Sequence, residues 1–81
     1  MKAVKPLPKH SYLSPRGETL LSELREECQH ILKLMAQLET PGLVEAQVEA
    51  ILGELSAAVL HLHEHTRGLD KVIDEDRRGT P

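Results

Sequence analysis

The 81-residue chain contains no tryptophan and no phenylalanine, and tyrosine and cysteine occur once each, as Tyr12 and Cys28. Without bulky aromatic anchors, a core must be assembled from Leu, Ile, Val, Ala and Met through many small contacts. Such a core suits long shallow seams between helices better than a deep substrate cavity. A single cysteine excludes an intramolecular disulfide, and Cys28 falls among apolar residues, where a free thiol behaves as a small hydrophobe. No apolar run approaches the roughly 20 residues that a membrane-crossing helix needs. The first ten residues carry Lys2, Lys5, Lys9, Pro6 and Pro8 but no hydrophobic stretch, which argues against a secretory signal. A cytoplasmic protein of one domain is the expectation.

Catalytic signatures are missing as well. There is no Ser-His-Asp ordering, glycine-rich phosphate loop or paired-cysteine motif, and Glu23, Glu26 and Glu27 read as the solvated face of a helix. The chain is expected not to be an enzyme.

What is present is a leucine-rich beat. Leu21, Leu24, Cys28, Ile31, Met35 and Leu38 follow steps of three and four, and so do Val44, Val48, Ile51, Leu55, Ala58, Leu62, His65, Leu69 and Val72. Steps of this kind keep an apolar stripe on one side of an α-helix. Ser14 followed by Pro15 reads as an N-cap with proline at the first helical position, and Glu18 suits the first turn. Thr40, Pro41 and Gly42 interrupt the pattern and read as a short connection between antiparallel helices. The expected organisation is an extended basic leader over residues 1–14, helix 1 over about 15–39, a turn at 40–42, helix 2 over about 43–75, and a frayed tail at 76–81. Gly68 leaves a second reading open, since His65, Thr66, Arg67 and Gly68 also resemble a last helical turn with a glycine cap.

A second apolar row flanks the first, made of Leu20 and Leu34 on helix 1 and Leu52, Val59 and Ile73 on helix 2. A two-helix hairpin covers one narrow stripe per helix, so the wider face seeks another cover. Helix 2 also overhangs helix 1 by roughly eight residues, or ~12 Å, and carries Leu69 and Val72 there with Ile73. The fold expectation is thus an all-α antiparallel two-helix hairpin that dimerises into a four-helix bundle. Leu20, Leu34, Leu52, Val59, Leu69, Val72 and Ile73 would carry the contact, either with a second copy or with a protein partner that supplies helices. The functional expectation is a non-catalytic interaction module, such as an adaptor, scaffold, chaperone or accessory subunit.

Two other readings come from the charged and histidine-rich segments. His61 and His65 lie four apart, so their imidazoles share a helix face with Glu64 beside them and Glu18 within reach from helix 1. Together they offer a transition-metal site, the one cofactor the sequence suggests. The chain is also charged unevenly: residues 1–16 hold four cations and no acid, whereas residues 17–66 hold nine carboxylates against Arg25 and Lys33. An acidic body repels a phosphate backbone, so the hairpin itself is not expected to bind nucleic acid. The basic leader, through Lys2, Lys5 and Lys9, leaves room for a small non-catalytic subunit of a nucleic-acid enzyme.

Overall fold

A computed structural model describes residues 4–6 and 12–78. Three helices follow one another: α1 Pro15–Leu38, α2 Glu45–Thr66 and α3 Leu69–Arg77. The Ser14 hydroxyl caps α1 by accepting the Gly17 N–H at 3.0 Å, with Pro15 at the first helical position and Glu18 in the first turn. The connection to α2 is longer than the proline alone implies. Thr40 does not cap the following helix; its hydroxyl turns back to the Ala36 carbonyl at 3.5 Å, and Gly42 takes the left-handed conformation at φ 83°. Val44 occupies the N-cap of α2, and its N–H is satisfied by the Gln47 side-chain oxygen at 2.9 Å.

The expected two-helix hairpin is corrected here to three helices. Thr66 closes α2 by donating its hydroxyl to the Leu62 carbonyl at 2.8 Å, Arg67 is extended, and Gly68 turns left-handed at φ 77°. A continuous helix would carry Asp76 about 12 Å past Gly68 at 1.5 Å per residue. Instead α3 crosses the start of α1, where the Asp76 carboxylate accepts both the Ser14 N–H and the Ser14 hydroxyl at 3.2 Å. The break thus converts the overhang into cover: Leu69 and Val72 become buried against their own chain. Gly17 lets the two helices meet closely at this crossing, because a Cβ there would displace the Asp76 carboxylate from its place beside Ser14.

The coiled-coil and four-helix-bundle expectation is also overturned. In that pattern Met35 and Val44 sit at the seam, yet both are exposed, while Leu34, assigned to the outer row, is 1% exposed and the best-buried large side chain. Leu34 lies about 100° around α1 from Met35, on the flank of the stripe that Glu27 shares, and it is this flank that packs near the turn. The three helices form a slab with principal extents of 62 × 28 × 16 Å. At 16 Å the thinnest dimension is less than two helix diameters of about 10–12 Å, so much of both broad sides of the α1–α2 pair is left open.

Candidate interaction face

The two broad sides of the α1–α2 pair follow from helical register. Each residue advances about 100° around its helix, and in an antiparallel pair, residues displaced in the same rotational sense from the packed stripe reach the same side. One sense brings Cys28, Leu32 and Met35 of α1 alongside Leu52 and Val59 of α2. The other brings Glu27 and His30 of α1 alongside Glu54, Ala57 and His61 of α2. This second side is a shallow depression lined by those five residues and Ala58, with His61 Nδ1 3.8 Å from Glu27 Oε2.

The two sides differ in chemistry. On the first, Leu32 is 63% exposed, Met35 47%, Leu52 46% and Val59 51%, around the half-buried Cys28 and Leu55. Contiguous exposed aliphatics of this kind mark contact surfaces far more often than isolated ones do. Towards the interhelical turn the same side is bordered by Glu39, Glu45 and Glu49, all exposed. Towards the α3 crossing it meets Arg25, where Tyr12 and Leu13 lie beside Leu21 and Ser22. The second side carries acids, histidines and alanines at mid-length and, nearer the turn, a shallow depression lined by Gln37, Thr40, Leu43, Gln47, Ala50 and Ile51. Among the described residues no polar or charged residue is fully buried, though Glu27 on the second side has a side chain only 15% exposed.

The seven residues expected to form the contact divide in two. Leu34, Leu69 and Val72 are enclosed by the chain itself, and Leu20 is half-buried. Leu52, Val59 and Ile73 are exposed, the last on α3. Leu32 and Met35 were not among the seven. Leu32 falls outside both apolar rows and Met35 belongs to the expected seam; with Leu34 turned inward, both stand exposed.

The histidines do not assemble a metal site. His61 and His65 stack face to face, with ring centroids 6.1 Å apart and planes 13° from parallel. Imidazole lone pairs lie in the ring plane, so stacked rings direct them side by side rather than onto one ion. Glu64 is engaged with Arg67 at 3.9 Å, and Glu18 lines a different depression, beside Tyr12, from the one lined by His65. Among the described residues no group of three His, Cys, Asp or Glu side chains converges. Of the leader cations, Lys5 is exposed, whereas Lys2 and Lys9 lie outside the described residues. No helix is long and apolar enough to cross a membrane among the described residues. The chain matches no protein-family model, no curated protein and no solved structure.

Proposed function

We propose that this small all-helical domain is a non-catalytic protein-interaction module that engages a helix of another protein through the side formed by Leu32, Met35, Leu52 and Val59. The observation that carries this reading is the exposure of those four aliphatic side chains on adjacent helices. Fully covering side chains of this size is worth about 1.5–3 kcal/mol each, and half of that remains to be gained where a residue is half-exposed. Such a sum is large beside the 5–15 kcal/mol that holds a typical domain together. An adaptor, scaffold, chaperone or accessory subunit uses a surface of this kind. No observation favours metal-dependent work by His61 and His65, whose rings are stacked, or nucleic-acid contact by a body so rich in carboxylates.

A photo-crosslinking amino acid placed at position 59, compared with one at position 57, tests the reading in the native cell. Protein adducts are expected from position 59 and not from position 57, which lies on the opposite side. Equal yields from both positions would refute it.

A further inference from the structure

We infer that the occupant of this side is a basic amphipathic helix of a protein partner, laid along the groove with its cationic end over the α1–α2 turn. This rests on the interaction reading above and adds the chemistry of the partner. Three observations converge on it. The apolar floor runs from Cys28 and Val59 to Met35 and Leu52, two turns along each helix, which fits a short helix with apolar residues at i, i+3, i+4 and i+7. At the turn end, Glu39, Glu45 and Glu49 border that floor, are exposed, and form no ion pair among the described residues. At the other end Arg25 and Glu18 line one depression with Tyr12 and Leu13, so cation and carboxylate offset each other there.

The rim is therefore acidic at the turn and mixed at the other end, and this asymmetry sets orientation as well as preference. A helix of uniformly acidic rim would meet three carboxylates at the turn. One with Lys or Arg at that end meets opposite charge there, and like-charge contacts are removed. The surrounding body reinforces this, since residues 17–66 carry nine carboxylates against two cations. Partly screened rim charges of this type change encounter rate and partner choice more than they change the depth of binding, so the apolar floor supplies the affinity and the rim supplies selection.

Two synthetic helices with the same leucine spacing, one with lysine and one with glutamate at the remaining positions, test the inference by fluorescence anisotropy against the full chain at low and high salt. The lysine peptide is expected to bind about tenfold or more tightly, with the margin shrinking as salt rises. Glu45→Lys combined with Glu49→Lys is expected to abolish or reverse the preference. Leu52→Ser combined with Val59→Ser, at positions whose exposure leaves the fold intact by circular dichroism, is expected to weaken both peptides. Equal affinity for the two peptides, or a preference untouched by the glutamate reversals, overturns the basic partner while leaving the apolar side in place. Binding undiminished by the serine pair overturns the side itself. A sedimenting mass that doubles on its own and excludes the lysine peptide identifies a second copy as the occupant and overturns the partner class.

Discussion

The two ends of the slab are held by different kinds of force. At the α3 crossing, Ser14, Gly17, Gly68 and Asp76 are fixed by hydrogen bonds, a left-handed glycine and a close approach, with Leu69 and Val72 buried beneath. From the middle to the turn, α1 and α2 are held chiefly by aliphatic contact around Leu34 and Ala58. Directional bonds place α3 at one angle and no other, whereas the aliphatic contact has no such fixed geometry, and Leu34 rather than Met35 fills it.

The sharpest way to break this contrast is Leu34→Ala. Removing the one large side chain that is fully enclosed is expected to cost about 3 kcal/mol and to lower the denaturation midpoint of α1 and α2 together, read by far-ultraviolet circular dichroism. A loss below about 1 kcal/mol would mean that the aliphatic half is not centred on this residue. Gly68→Ala comes next, at about 1–2 kcal/mol, because the left-handed conformation at φ 77° is strained for a residue with a side chain. Its effect should be confined to α3, seen as faster amide hydrogen exchange from Leu69 to Arg77 with α1 and α2 unchanged.

Asp76→Ala is expected to cost about 1 kcal/mol, since it leaves the half-buried Ser14 N–H without its partner. The change also sharpens the role of Gly17. In the native chain Gly17→Ala pushes the Asp76 carboxylate aside and destabilises; in the Asp76→Ala background the same change gains about 0.5–1 kcal/mol from better helix propensity. A thermal-melt cycle in which Gly17→Ala has one sign in both backgrounds would remove the crossing as the reason for glycine. The smallest expected effect is Gly53→Ala, in the interior of α2, where a Cβ meets nothing within 4 Å. Stability should rise by about 0.5–1 kcal/mol in chemical denaturation, with no change at the crossing.

Much of the local structure is legible in the residues. Ser14 and Pro15 announce the start of α1, and the three-and-four spacing of Leu24, Cys28, Ile31, Ile51, Leu55, Ala58 and Leu62 marks the stripes that do pack. Gly68 was less legible, because Leu69 and Val72 stay in phase with α2 and a glycine interior to a helix costs only about 1 kcal/mol. What decides for the break is a contact 62 residues apart, between Ser14 and Asp76, which local spacing does not encode. The same holds for the exposed side: Leu52 and Val59 stand out from the sequence, but their alignment with Leu32 and Met35 depends on which flank of α1 packs, and that flank is the one carrying Leu34. The metal reading turns on a similar point, since a four-residue histidine spacing places two rings on one face without fixing whether their nitrogens converge, and here the rings stack.

The hydrogen bonds from Ser14 to Asp76 bring the polypeptide's way in and its way out to the same corner of the fold. Ser14 and Asp76 are thus clasped at one end of the slab while Gly42 turns the chain at the other, so pulling on either terminal segment loads the clasp before it reaches the aliphatic contact.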